Sequence, residues 1–86
     1  MDQQEILNKV KDIFKITISD TTGVTPETAS RDVRNWDSLN HVMFIAEVEK
    51  EFGIRFDLME MLEMRTISDI CKGVETQLKK NDPQAH

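Results

Sequence analysis

The sequence has 86 residues, 38% of them hydrophobic, and a formal net charge of −5, which suits one small domain. The single cysteine, Cys71, excludes an internal disulfide and a cysteine-rich metal site. There is no apolar run of about 18 residues to span a membrane, and the acidic start over residues 1–5 does not resemble a signal peptide. We therefore expect a monomeric cytoplasmic protein with no metal and no membrane contact.

The negative charge is concentrated in the middle of the chain. Residues 37–63 carry two basic and seven acidic side chains. Nucleic-acid phosphates require basic patches, so this distribution argues against nucleic acid as a partner. It favours basic surfaces on partner proteins, although a solvated charged face would have the same composition.

The first half of the chain predicts one helix and a long connection. Apolar residues recur at helical spacing from Asp2 or Gln3 to Ile18. Residues 19–37 contain turn and breaker signals and form the connection. We expect Val24, Val33 and Trp36 to hold it against the core. A connection of this length in a compact domain is uncommon and often functional.

The second half predicts three more helices. The second helix covers 38–52, with Gly53 as its C-cap. A capping box at 57–60 begins a short third helix that ends near Glu63 or Met64. The cap signal at 66–69 precedes a fourth helix that ends near Lys79.

The predicted fold is therefore all-α, a small four-helix bundle with a long first loop and a short third helix. We expect residues 1–80 to form a single domain. Residues 81–86 contain Pro83 and no apolar anchor, which predicts a disordered C-terminal tail.

The second helix carries two apolar stripes on opposite sides. Phe44, Ile45, Val48 and Phe52 form the predicted core stripe, and His41 lies within its arc. The second stripe consists of Leu39, Val42, Met43 and Ala46. It either packs under the long loop or the third helix, or it is a docking surface with Glu47, Glu49 and Glu51 at its rim.

The tripeptide Asp37-Ser38-Leu39 places a hydroxyl at the start of the second helix. The free N–H groups and the dipole at a helix N-terminus favour a phosphate there. The segment Trp36-Asp37-Ser38-Leu39-Asn40-His41-Val42, with the pattern over 49–54, resembles the attachment motif of acyl carrier proteins.

This resemblance implies that a phosphopantetheinyl transferase attaches 4′-phosphopantetheine to Ser38, and that acyl groups travel as thioesters on that arm. Asp37 matches the acid that helps to position the transfer. Leu39, Val42 and Met43 match positions near the arm, and we expect them to contact partners together with Ala46, Glu47 and Glu49. The partners would be the transferase and acyl-activating, acyltransferase or ketosynthase-type enzymes. The chain itself would not be an enzyme and would have no catalytic residues.

Two departures favour a specialised pathway over general fatty-acid synthesis. Trp36 precedes Asp37, which resembles carriers of polyketide, peptide or D-alanine pathways. Asn40, Met43 and Lys50 stand where the fatty-acid type is often acidic. A D-alanyl or peptidyl carrier therefore remains an alternative, as does a non-carrier acidic interaction module in which Ser38 is only the helix N-cap.

Other functional interpretations are weaker. Asp37, Ser38 and His41 could suggest a hydrolase triad, but no Gly-x-Ser-x-Gly elbow surrounds the serine. We expect His41 to be a partly buried, hydrogen-bonded residue and Cys71 to be a small buried hydrophobe. Met59, Met61 and Met64 either fill gaps in the core and rim or form a compliant wall that admits an acyl chain.

Overall fold

The computed structural model describes residues 2–18 and 23–81, and this part of the chain is helical. Its helices are α1 (Gln3–Ile18), α2 (Ser38–Phe52), α3 (Leu58–Glu63) and α4 (Ile67–Asn81), with a 3-10 turn at Ser30–Asp32 before α2. The predicted four-helix fold is confirmed. The first residues of the predicted connection, 19–22, and the predicted tail, apart from Asn81 at the end of α4, lie outside the described residues.

The core is built from one stripe of each long helix. α1 contributes Ile6, Val10, Phe14 and Ile18, α2 contributes Phe44, Ile45 and Val48, and α4 contributes Ile67, Ile70 and Val74, all of them almost fully buried. Three aromatic rings meet at the centre with their edges against faces. The ring centroid of Phe14 lies 5.1 Å from that of Trp36 and 5.4 Å from that of Phe44. Such pairs each add about 0.5–1.5 kcal/mol beyond the area that they bury.

The long connection before α2 is held in place along its described length. Val24, Val33 and Trp36 are buried, as predicted. Its backbone also bonds to the segment that begins α4. Ser30 N–H donates to Arg65 C=O at 2.8 Å, and Ile67 N–H donates to Thr28 C=O at 3.1 Å. The second bond satisfies one of the free N–H groups at the start of a helix, so the connection delivers the chain to Ser38 in a fixed position.

Capping interactions set the helix ends around the site. Gly53 ends α2 with a φ of 66°, a left-handed conformation that favours glycine. At the start of α3, Glu60 N–H donates to the Asp57 carboxylate at 2.8 Å, and Asp57 N–H donates to the Glu60 carboxylate at 3.3 Å. Thr66 and Asp69 exchange equivalent bonds at α4. The two predicted cap signals are confirmed.

Among the described helices, none is both long enough and apolar enough to cross a membrane.

Candidate functional site

The site begins with the cap of α2. Asp37 is in an extended conformation, and its carboxylate accepts from the Asn40 N–H at 2.9 Å. The Asp37 C=O accepts the first helical bond, from His41 N–H at 2.8 Å. The Asn40 side chain in turn donates to Asn35 C=O at 2.7 Å. Asp37 is therefore the N-cap, and Ser38 is the first residue inside the helix.

The prediction that Ser38 could serve as the N-cap is wrong. Asp37 already satisfies the N–H of the third helical residue, so the Ser38 hydroxyl is not needed for capping. Ser38 is exposed. The N–H groups of Ser38 and Leu39 belong to the first turn and have no acceptor within the helix. A helix start therefore presents one exposed hydroxyl beside two backbone donors.

His41 joins three parts of the fold behind Ser38. Trp36 Nε1–H donates to His41 Nδ1 at 2.9 Å, and His41 Nε2 lies 3.0 Å from Met61 C=O. A neutral ring with its proton on Nε2 makes both bonds, accepting from the indole and donating to the carbonyl. The predicted partly buried, hydrogen-bonded histidine is confirmed.

These bonds also exclude the triad interpretation. Both ring nitrogens of His41 are engaged by Trp36 and Met61, and the Asp37 carboxylate faces a backbone N–H. A relay needs the carboxylate bonded to the histidine and the histidine bonded to the hydroxyl. Asp37, Ser38 and His41 are therefore neighbours without the bonding pattern of a catalytic triad.

The second apolar stripe of α2 faces outwards. Leu39 is 71% exposed, Met43 52% and Val42 48%, and Ala46 is also exposed. The alternative that the long loop or α3 covers this stripe is wrong. Glu47 is exposed beside it, whereas Glu49 is half-buried and accepts from Phe56 N–H at 2.7 Å.

Two parts of this surface were not predicted from the sequence. α3 extends the apolar face with Leu58, Met59 and Leu62, which are 64%, 65% and 55% exposed. Their spacing places them on the outer side of a short helix, and a wheel drawn for α3 would have found them. Met64 is buried and Met61 is half-buried, so the methionines of this region divide between core and surface.

The second missed part is a groove of about 690 Å³ that runs beside Ser38. Its wall includes Ser38 and Val42 from α2, Leu62 from α3 and the indole of Trp36. Arg31 and Arg65 line it on the side of the 3-10 turn and the α3–α4 connection. Sequence spacing could not show this groove, because it forms where segments 20 or more residues apart meet.

Comparison with known proteins decides the family. A family model described as the phosphopantetheine attachment site matches residues 4–74. The chain belongs to this family.

Similar proteins agree with this membership in the phosphopantetheine attachment family. The chain is 38% identical to an acyl carrier protein of Thermosynechococcus vestitus over 91% of its own length and 98% of the relative. It is 32% identical to an acyl carrier protein of Thermotoga maritima over 88% and 95%. The solution structure of a holo acyl carrier protein from Geobacter metallireducens superimposes with a TM-score of 0.82 at 28% identity, covering 94% of each chain.

The geometry at Ser38 fits the prosthetic group of the family. 4′-Phosphopantetheine needs an accessible hydroxyl, and Ser38 is exposed and lines the groove. The phosphodiester would lie by the N–H groups of Ser38 and Leu39, where an anion gains about 0.3–1 kcal/mol from the helix dipole. The capping bond to Asp37 leaves these donors available.

Proposed function

We propose that this protein is an acyl carrier that holds acyl groups as thioesters on 4′-phosphopantetheine attached to Ser38. The observation that carries the proposal is that two different residues cap α2 and present the hydroxyl at its start. Asp37 caps the helix through Asn40 N–H, and Ser38 keeps an exposed hydroxyl beside free backbone donors. When bound, the prosthetic group supplies a terminal thiol for the acyl group.

The residues around Ser38 position the attachment and contribute no base of their own. His41 is held by Trp36 and Met61, so a transferase supplies the base that takes the serine proton. The exposed Asp37 lies next to the attachment point, where its carboxylate helps to position the transfer. Since members of this family carry groups for other proteins, we do not expect this chain to be an enzyme.

The exposed stripe of α2 supplies the surface for partners. Leu39, Val42 and Met43 offer apolar contacts within a turn or two of Ser38, and Ala46 and Glu47 extend the surface along the helix. Glu49, which accepts from Phe56 N–H, lies at the half-buried edge of this surface. Exposed apolar residues with a charged rim are typical of docking sites. A transferase and acyl-transferring enzymes of the cytoplasm are the partners that this surface fits.

A specialised pathway suits this surface better than general fatty-acid synthesis. The support comes from Met43 and Lys50, which are exposed on α2 where the fatty-acid type is often acidic. Trp36 gives no direct support, because it is 3% exposed and packs in the core. A less acidic and more apolar α2 favours partners with a less basic contact surface.

Enzymatic loading tests the attachment directly. The folded protein is incubated with coenzyme A and a broad-specificity phosphopantetheinyl transferase, and its intact mass is measured. We expect the mass of one phosphopantetheine to be added to the wild type and to Ser68→Ala, and none to Ser38→Ala. Ser68 is the matched control because it also lies in the first turn of a helix. Unmodified wild type, or modified Ser38→Ala, would contradict the proposal.

A further inference from the structure

Two arginines share the groove with Ser38. Arg31 directly follows Ser30, whose N–H donates to Arg65 C=O at 2.8 Å. The neighbouring residues Ala29 and Thr66 form an antiparallel bridge. These backbone contacts fix the two arginine-bearing segments side by side. Both side chains are exposed and line the groove, so two positive charges lie along one groove in a chain whose net charge is −5.

Two of the carboxylates near these arginines in the chain accept hydrogen bonds from the backbone. Asp32 accepts from Ala29 N–H at 3.3 Å, and Asp69 accepts from the N–H groups of Arg65 and Thr66 at 3.1 and 3.2 Å. Ion pairs within the described residues join Lys9 to Glu51 and Lys79 to Glu75, and they include neither arginine. The one carboxylate among the residues that line the groove, Asp37, accepts from Asn40 N–H as the cap of α2. Two guanidinium groups in one groove favour binding of an external anion.

We infer that Arg31 and Arg65 form a carboxylate site for the acyl cargo, so that the groove receives acyl groups that end in a carboxylate. This inference rests on the proposed attachment at Ser38. The groove has an apolar part, made by Trp36, Val42 and Leu62, and a cationic side made by the arginines. An acyl group with an apolar body and a charged end matches both parts, and guanidinium groups bind carboxylates through paired hydrogen bonds.

The phosphodiester of the arm is the competing anion. When attached to Ser38, it would lie at the start of α2, beside the N–H groups of Ser38 and Leu39. The arginines belong to other segments, the 3-10 turn and the α3–α4 connection. The cargo carboxylate is therefore the anion that we assign to them.

Nuclear magnetic resonance of the holo protein tests this assignment. The Nε–H signals of the arginines are followed in the apo protein, the holo protein and the holo protein loaded with glutaryl or pentanoyl thioester, which have the same chain length. We expect Arg31 and Arg65 to shift with glutaryl and not with pentanoyl or with the arm alone. Arg34 and Arg55, which are exposed and do not line the groove, serve as internal controls.

A second readout uses the stability of the thioester. We expect the glutaryl thioester to react with hydroxylamine several-fold more slowly than the pentanoyl thioester in the wild type. The difference should disappear in the double variant Arg31→Gln, Arg65→Gln and persist in Arg34→Gln. Arginine signals that respond equally to both cargoes, or to the arm alone, would overturn the carboxylate site. Failure to form holo protein would contradict the proposed function instead.

Discussion

Asp37 and Ser38 are adjacent residues with separate roles. The Asp37 carboxylate completes the helix by accepting from Asn40 N–H, whereas the Ser38 hydroxyl takes no part in capping. This separation matters for a carrier, because a hydroxyl used as a cap would be tied to the backbone. Modification of Ser38 can therefore leave the start of α2 intact.

The separation predicts unequal effects on stability. We expect Asp37→Ala to lower the free energy of unfolding by about 0.5–2 kcal/mol through loss of the cap. Ser38→Ala should change it by less than about 0.5 kcal/mol, as for other exposed positions. Urea denaturation of the two variants and the wild type measures both values. A larger loss for Ser38→Ala than for Asp37→Ala would show that the serine is the cap after all.

Cys71 on α4 provides a test of the packing. It is half-buried, and this burial raises the pKa of its thiol to about 11. Since the thiolate is the reactive form, we expect iodoacetamide at pH 8 to alkylate the folded protein about a hundredfold more slowly than the urea-unfolded protein. Equal alkylation rates of the folded and unfolded protein, measured by mass spectrometry, would contradict the burial of the thiol.

The same shift has a consequence for stability. Below the pKa that the thiol has in the unfolded chain, it is neutral in both states and does not change the free energy of unfolding. As the pH rises above about 9, the unfolded state loses its proton first, so Cys71 lowers the free energy of unfolding progressively up to about pH 11. Cys71→Ala should remove this contribution.

At the scale of elements, α2 has two apolar sides, one buried and one exposed. Phe44, Ile45 and Val48 are buried against α1 and the core, while Leu39 and Met43 on the other side face outwards. A helix that only packed in the bundle would need a single apolar stripe. The outward stripe is the part of α2 that we propose docks partner proteins.

We expect the double variant Leu39→Ala, Met43→Ala to slow modification of Ser38 by the transferase. Its free energy of unfolding should stay within about 0.5 kcal/mol of the wild type, because both side chains are exposed. Ile16→Ala is the matched control, since Ile16 is 80% exposed and belongs to α1. The measurement is kcat/KM for the transfer. Equal values for the two variants would argue against docking through α2.

His41 on α2 bonds to the backbone of α3. His41 bonds to the indole of Trp36 at 2.9 Å and to Met61 C=O at 3.0 Å. Replacing it with leucine leaves the Trp36 N–H, which belongs to a residue only 3% exposed, without an acceptor. An unsatisfied buried donor costs about 1–3 kcal/mol.

We therefore expect His41→Leu to lower the free energy of unfolding by about that amount. Hydrogen exchange should also accelerate more at the amides of 61–64 than at Val10 in α1. Exchange that accelerates uniformly along the chain would show that His41 has no special role in holding α3.

At the scale of the whole molecule, apolar spacing and capping signals within short segments predicted the helices. The groove beside Ser38 depends on contacts between segments that are distant in the chain. The bounds of α2 follow from apolar spacing and from Gly53, both of which can be identified within a few residues. The choice of Asp37 over Ser38 as cap could not be predicted, because adjacent capping residues compete and the geometry of the preceding chain decides between them.

The groove beside Ser38 could not be predicted for a different reason. It depends on backbone bonds between Thr28 and Ile67 and between Ser30 and Arg65, more than 30 residues apart in the chain. No periodicity encodes such a pairing, and the arginines of the groove look like ordinary surface charges in the sequence. The acidic segment over 37–63, by contrast, was apparent from composition and contains both α2 and α3.

The central claim is that Ser38 carries the prosthetic group. The most direct measurement is fragmentation mass spectrometry of the transferase-treated native chain, which locates the added group on a single residue. We expect the mass of phosphopantetheine on the fragment that contains Ser38 and on no other serine. The group on Ser30, Ser68 or another residue, with Ser38 unmodified, would contradict this account.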